Sequence, residues 1–238
     1  MTTSALVLIA VVALLGGVFG ATASHPAVRL GRPVASHPSE AAGRPDRPLL
    51  AVIGASVSAG VGPGAAAQAW PQDLARMLSC RLAVNADPGA GYVSPGDGHR
   101  GPFTRLAAEL DLARIAPTAV IIQGGHDDIG RPLPLIYTEV EALVRTIRRE
   151  SPTSALGVLT VFGTGDIPSA AALATNSTII AAARHADPHV LVFDPLAGHW
   201  HFARVADHLH PTAAGDQWIA AQLASRLGPV LRPVRNPA

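Results

Sequence analysis

The sequence contains no lysine, a single cysteine and few aromatic residues. One cysteine, Cys80, excludes an intrachain disulfide and any cysteine-based metal cluster. The 18 basic residues are all arginines spread along the chain and the net charge is +1, so no nucleic-acid surface is indicated. Aromatic residues make up 4 %, which disfavours a long sugar-stacking platform. With 48 % hydrophobic and 15 % charged residues over 238 positions, the chain is too apolar for disorder along its whole length.

A charge-free apolar run occupies residues 5–23 and is nearly long enough to cross a bilayer as a helix. The triplet Ala21-Thr22-Ala23 fits a signal-peptide cleavage site, whereas the absence of a basic residue before the run favours a retained anchor. We expect residues 1–23 to be a signal peptide or single-pass membrane anchor, and residues 24–48 to be a Pro/Arg-rich linker. The protein is then extracytoplasmic, either secreted or anchored to the cell membrane.

From residue 49 onward, apolar runs alternate with helical patterns of period 3.6. Strands are predicted at residues 49–53, 82–84, 119–122, 156–162 and 190–193. This alternation indicates an α/β domain over residues 49–230, with a parallel sheet covered on both faces and a tail at residues 231–238. Ligands bind such sheets at the carboxyl ends of the strands, so the loops that leave those ends are the candidate site.

A serine set among small residues follows the first predicted strand, in the segment GASVSAG at residues 54–60. The segment matches neither Gly-x-Gly-x-x-Gly nor Gly-x-Ser-x-Gly. Its small neighbours leave the Ser56 hydroxyl exposed and its amide free. Taken alone, the segment is equally consistent with a glycine-rich turn or a phosphate-binding loop.

An acid and a histidine, Asp207 and His210, lie three residues apart just before the last predicted helix. A nucleophilic serine needs a base to take its proton, and that base needs an acceptor that fixes its tautomer. Asp207 and His210 can supply both from one short loop. His199, His201 and His208 lie nearby, so a metal site is a weaker alternative.

Four segments together resemble the SGNH hydrolase family, also called GDSL-type esterases and lipases, over about residues 49–227. They are Gly54-Ala55-Ser56, residues 85–92 (NADPGAGY), residues 124–128 (GGHDD) and residues 207–215 (DHLHPTAAG). The resemblance implies a flavodoxin-like α/β/α sandwich with about five parallel strands. It also implies Ser56 as nucleophile, His210 as general base and Asp207 as the orienting carboxylate, with no cofactor and no metal.

The same resemblance implies an oxyanion hole built from the amides of Ser56 and Gly91 and a side chain of the third segment. Family members carry asparagine there, in Gly-x-Asn-Asp, and this sequence has none. One alignment places His126 at that position and the other places Asp127. A histidine can donate to an oxyanion, whereas Asp127 can do so only when protonated. A local role for either side chain in capping the turn is the third possibility.

The resemblance implies hydrolysis of carboxylic esters through an acyl-enzyme, on short acyl or acetyl groups of envelope glycans or on lipid esters. An acyltransferase with the same triad is one alternative. A catalytically weak SGNH-like binding protein is another, because the asparagine is missing. The expected partner is a small-molecule, glycan-ester or lipid-ester substrate and not nucleic acid, with membrane contact through the N-terminal segment alone.

Overall fold

The structure, a computed structural model, describes residues 47–165 and 167–231. The predicted leader at residues 1–23 lies outside the described residues, as do nearly all of the predicted linker and tail. Within the described part of the chain, no helix is both long enough and apolar enough to span a membrane.

Five strands form one sheet in the order β2-β1-β3-β4-β5, and every neighbouring pair is parallel. All residues of β1 and β3 are buried, which is why their sequences are continuously apolar and do not alternate. The predicted parallel α/β sheet of about five strands is therefore confirmed. The strands are β1 Leu49–Gly54, β2 Arg81–Ala86, β3 Ala119–Gln123, β4 Ala155–Leu159 and β5 Leu191–Phe193.

Helices cover both faces of the sheet. Successive strand residues point to opposite faces: Leu50 and Val52 belong to the core formed with α2 and α7, and Ala51 and Ile53 to the core formed with α3, α5 and α6. The result is a three-layer sandwich. The helices are α1 Ser56–Ala59, α2 Trp70–Leu78, α3 Phe103–Leu110, α4 Leu112–Ile115, α5 Leu133–Glu150, α6 Ala170–Ala186 and α7 Ala213–Leu231, with a 3-10 turn at Ala66–Gln68.

All five predicted strands differ from the structure by one to three residues at one or both ends, and the fourth strand differs most. The fourth strand, predicted to reach residue 162, ends at Leu159. Val161 and Phe162 are nevertheless buried, because the loop that leaves β4 packs them into the two cores. Helix α7 reaches Leu231, one residue beyond the predicted end of the domain.

The strand order sets the position of a ligand site. In a doubly wound sheet of order 2-1-3-4-5, the direction of winding reverses between β1 and β3, and the crevice outside their carboxyl ends receives ligands. Ser56 follows β1 at this edge, and Gln123 is the last residue of β3.

Candidate active site

Ser56 is the first residue of α1, directly beyond the end of β1. The amide at the first position of a helix has no intrahelical acceptor, so the Ser56 amide points out of the helix. Ser58, two residues further, is held by Gln123: its hydroxyl donates to Oε1 at 2.7 Å and its amide to the same oxygen at 3.1 Å. These bonds fix the short helix against the end of β3, while the Ser56 hydroxyl remains available.

The Ser56 hydroxyl, His210 and Asp207 form one hydrogen-bonded chain. His210 Nε2 lies 2.8 Å from Ser56 Oγ, and His210 Nδ1 lies 2.7 Å from Asp207 Oδ2. Asp207 Oδ1 also accepts the amides of Leu209 and His210, each at 2.9 Å. The structure therefore brings together the three residues that the sequence singled out, although His210 lies 154 positions after Ser56.

Asp207 is held as an anion. The hydrogen bond from the His210 ring lowers the pKa of Asp207 to about 2, and the two amides that it accepts add to this effect. The ring of His210 is largely covered, with 16 % of its side chain exposed, whereas 47 % of the Asp207 side chain is exposed. The carboxylate thus fixes the ring so that Nε2 faces Ser56.

The histidine loop is anchored on both sides. Arg204 and Pro211 form an antiparallel bridge, and the Val205 amide donates to the His210 carbonyl at 2.9 Å. Gly62, in the loop after α1, packs on the same turn: a Cβ there would lie 2.2 Å from the Pro211 carbonyl oxygen and 3.0 Å from His210 Cβ. The sequence motifs do not single out Gly62. The only sign of Gly62 in the sequence is that it lies in a glycine-rich stretch after Ser56.

Asp128 is a second residue of the site whose role the sequence motifs do not indicate. Its buried carboxylate accepts the amides of Tyr92, Val93 and Ser94 at 2.8, 2.9 and 3.0 Å. Gly91 leaves room for it, since a Cβ on Gly91 would lie 2.4 Å from Asp128 Oδ2. Asp128 therefore ties the loop after β2 to the loop after β3, beside the switch point of the sheet.

Gly91 was predicted to supply an oxyanion-hole amide, and the structure gives that amide another partner. It donates to the Ser94 carbonyl at 3.0 Å within the turn that Asp128 holds. The Gly91 amide therefore reaches an oxyanion only by sharing or exchanging this bond. The physical requirement for glycine at this position is the close approach of the Asp128 carboxylate.

His126 and Asp127 differ in their surroundings. The Nδ1 atom of His126 is buried and has no hydrogen-bond partner among the described residues. Burial raises the pKa of Asp127, with the nearby Asp128 and Asp97 charges acting in the same direction. The charges of His126 and His210 lower the pKa of Asp127. Asp127 is therefore close enough to His210, the base beside Ser56, for their charges to interact.

The model of the GDSL-like lipase/acylhydrolase family matches residues 52–218, which include the whole hydrogen-bonded chain. The chain belongs to this family. It is therefore an esterase, and the resemblance noted in the sequence is confirmed. No curated protein sequence matches this one significantly.

Solved structures share the fold of this GDSL-like acylhydrolase. A family two carbohydrate esterase from Cellvibrio japonicus is 16 % identical with a TM-score of 0.66, covering 79 % of this chain and 62 % of its own. One from Clostridium thermocellum, in complex with cellohexaose, is 17 % identical with a TM-score of 0.62, covering 78 % of this chain and 65 % of its own. The crystal structure of TesA is 22 % identical with a TM-score of 0.62, covering 77 % and 99 %. This acylhydrolase thus spans less than two thirds of those two carbohydrate esterases.

Three of the histidines that precede His210 in this acylhydrolase lie together. His199, His201 and His208 line one pocket beside the His210 loop. Within residues 47–165 and 167–231, no three histidine, cysteine or carboxylate side chains are placed to hold a metal ion together.

Proposed function

We propose that the protein hydrolyses carboxylic esters through a covalent acyl-enzyme on Ser56. The single observation that supports this proposal is the continuous chain from Asp207 through His210 to Ser56, with both links at 2.8 Å or less. Nucleophile, base and orienting acid need this geometry, whichever fold carries them.

In the acylation step, Ser56 Oγ attacks the ester carbonyl carbon and its proton moves to His210 Nε2. The tetrahedral intermediate then collapses, the carbon–oxygen bond to the alcohol breaks, and the proton on Nε2 passes to the departing alkoxide. Water repeats the sequence on the acyl-enzyme, which releases the acid and restores Ser56. Asp207, kept ionised by its low pKa, stabilises the imidazolium that forms in each step.

The negative charge on the carbonyl oxygen requires donors beside Ser56. The Ser56 amide is one, because it lies at the start of α1 with no intrahelical acceptor. We assign the donor of the third segment to Asp127 in its protonated form. Burial raises the pKa of Asp127 and so favours the protonated form that can donate, whereas the His210 charge acts in the opposite direction.

Short acyl or acetyl esters on glycans are the substrates we propose. The likeness to solved carbohydrate esterases, one of them in complex with cellohexaose, supports this choice. The pocket beside the His210 loop contains Arg204 and three histidines, which suits polar sugar groups more than a long acyl chain.

We also propose an extracytoplasmic location, on the basis of the apolar run at residues 5–23. Mass spectrometry of the N-terminus of protein recovered from its host tests this location. A mature chain that begins near residue 24 indicates a cleaved signal peptide, and an intact chain in the membrane fraction indicates an anchor. An intact chain in the cytosolic fraction contradicts the proposal.

Hydrolysis of 4-nitrophenyl acetate by matched serine variants tests the mechanism. We expect Ser56→Ala to lower kcat by about a thousandfold or more, because the nucleophile is lost. Ser58→Ala is the matched control on the same helix, and we expect it to keep kcat within about tenfold, since the Ser58 amide still bonds Gln123. Retained activity in Ser56→Ala, or an equal loss in Ser58→Ala, contradicts the proposal. No turnover in the unaltered protein favours the binding-protein alternative.

A further inference from the structure

A cavity of about 300 Å³ lies at the carboxyl ends of β4 and β5, beside the histidine loop. Its wall contains Arg204, the aromatic rings of Trp200 and Phe202, and the imidazoles of His199, His201 and His208. Since neighbouring strands are about 4.8 Å apart and β4 and β5 are two and three strands from β1, the cavity centre is about 10 to 15 Å from Ser56 along the sheet edge. The catalytic chain does not use any of these side chains.

Arg204 is the fixed positive charge of this cavity. Its guanidinium carbon lies 4.0 Å above the Phe202 ring, and its Nε atom is buried. Within the described ranges, that nitrogen has no hydrogen-bond partner. Burial lowers the pKa of the Arg204 side chain, but a guanidinium stays protonated in proteins. Arg204 as a whole is only partly buried and lines the cavity, so its charge can meet an anion there.

The rest of the wall is suited to an anion. It adds the imidazoles of three histidines, whose ring N–H groups can donate hydrogen bonds to an anion.

We propose that this cavity binds an anionic oxygen group, a carboxylate or a phosphate, carried by the ester substrate at a distance from the scissile bond. Arg204 binds the anion through its guanidinium, and the Trp200 face covers the adjoining part of the substrate. This inference rests on the proposed function of Ser56, because it adds the class of substrate that the same site receives.

The cavity connects to the catalytic chain through the backbone. His208 lies inside the turn that joins Asp207 to His210, and Arg204 pairs with Pro211 just after it. An ester with a small acyl group at Ser56 would therefore direct its alcohol portion along the sheet edge. The distance of about 10 Å between Ser56 and the cavity leaves room for one or two sugar units between the esterified sugar and an acidic sugar in the cavity.

Calorimetric titration of the full-length protein tests binding without reference to catalysis. The probes are trigalacturonate for a carboxylate source, sn-glycerol 3-phosphate for a phosphate source, and neutral galactotriose. We expect at least one anion to bind, galactotriose to bind at least tenfold more weakly, and Arg204→Gln to weaken the anion about ten- to a hundredfold. The anion whose affinity falls in Arg204→Gln shows whether the cavity takes a carboxylate or a phosphate. If neither anion's affinity depends on Arg204, the proposal is wrong.

A matched arginine separates local recognition from net charge. Arg226 of α7 also lies over an aromatic ring, Phe193, at 4.8 Å, so Arg226→Gln removes the same charge elsewhere. We expect it to leave anion affinity within twofold. Equal losses in both variants overturn the assignment to this cavity.

Kinetics then link the cavity to the ester site. With acetylated trigalacturonate, we expect Arg204→Gln to lower kcat/KM at least tenfold, whereas kcat/KM for 4-nitrophenyl acetate stays within twofold, because that ester is too small to reach the cavity. Equal losses on both substrates contradict the cavity's role in recognition. Anion binding without any ester turnover in the unaltered protein contradicts the proposed function and not the binding site.

Discussion

Asp127 is the least ordinary residue of the site, because it brings a carboxyl group to a place where negative charge develops. An ionised carboxylate there opposes the reaction, whereas a protonated one donates a hydrogen bond. Burial raises its pKa, so the protonated fraction is larger than for an exposed aspartate at the same pH. The attack of Ser56 then requires a protonated Asp127 and a neutral His210 in the same molecule.

Replacement of Asp127 by asparagine tests this assignment. The amide donates at every pH, so we expect Asp127→Asn to raise kcat for 4-nitrophenyl acetate by about ten- to a thousandfold at pH 8, with a smaller gain at pH 5. The pH profile of kcat from pH 5 to 9 measures it. In the unaltered protein, kcat declines as Asp127 ionises with rising pH, and this decline is absent in the variant.

His126→Ala is the companion variant, since His126 is the other candidate at the missing asparagine. We expect a change of less than tenfold if Asp127 is the donor. A loss of more than tenfold in His126→Ala, together with an unchanged rate in Asp127→Asn, assigns the role to His126 and contradicts our proposal.

Residues that act through side-chain chemistry were the easiest to predict from the sequence. Ser56, Asp207 and His210 stand out because their types and positions match a known reaction, and the structure brings them together. Asp128 did not stand out, since its role is to accept three backbone amides of a distant loop. Such a role depends on the approach of two loops, which no spacing along the chain encodes.

Among the secondary-structure elements, α2 has no N-cap side chain of its own, and a side chain of α7 supplies the acceptor. Ala69, at the N-cap of α2, has no side-chain acceptor for the first amides. Asp216 of α7 replaces it, because its Oδ1 atom accepts the Trp70 amide at 2.9 Å. The other oxygen, Oδ2, is buried and has no hydrogen-bond partner among the described residues. Burial raises the pKa of Asp216 to about 7.

The raised pKa of Asp216 predicts that stability falls as the pH rises. Above its unfolded pKa of 3.8, the unfolded chain has released a proton that the folded chain keeps until about pH 7. The stabilisation is complete below pH 3.8 and is lost as the pH rises through 7. Between pH 5 and 8 this group therefore lowers the free energy of unfolding by on the order of 2 to 3 kcal/mol.

Asp216→Asn keeps an oxygen for the Trp70 amide and removes the titration. Urea unfolding at pH 5 and pH 8 measures the effect. From pH 5 to pH 8, the free energy of unfolding of Asp216→Asn should rise relative to that of the unaltered protein by on the order of 2 to 3 kcal/mol. Parallel pH dependences of the two proteins would mean that Asp216 is ionised throughout.

Element boundaries were less predictable than element types. The apolar residues that follow β4 continue the strand pattern, yet Val161 and Phe162 belong to a loop. The Val161 amide bonds the Asn176 side chain of α6 at 3.3 Å in place of a neighbouring strand. Hydropathy reports burial, and both a core-packed loop and a strand are buried.

At the scale of the whole molecule, the sheet assembles a site from loops that are distant in sequence. Ser56 follows β1, Asp128 follows β3, and Asp207 and His210 precede α7, so all three loops meet at one sheet edge. The alternation of apolar strands and amphipathic helices predicted that edge, because parallel strands present their carboxyl ends together. The departure from the family's Gly-x-Asn-Asp pattern lies in the loop after β3, at residues 124–128.

Active-site labelling shows whether Ser56 forms the covalent intermediate. The full-length protein is treated with a fluorophosphonate probe, and the labelled peptide is mapped by mass spectrometry. We predict one probe per protein, attached to Ser56, with no labelling of Ser56→Ala and unchanged labelling of Ser58→Ala. A probe attached to any other residue, or equal labelling of Ser56→Ala, would contradict the account.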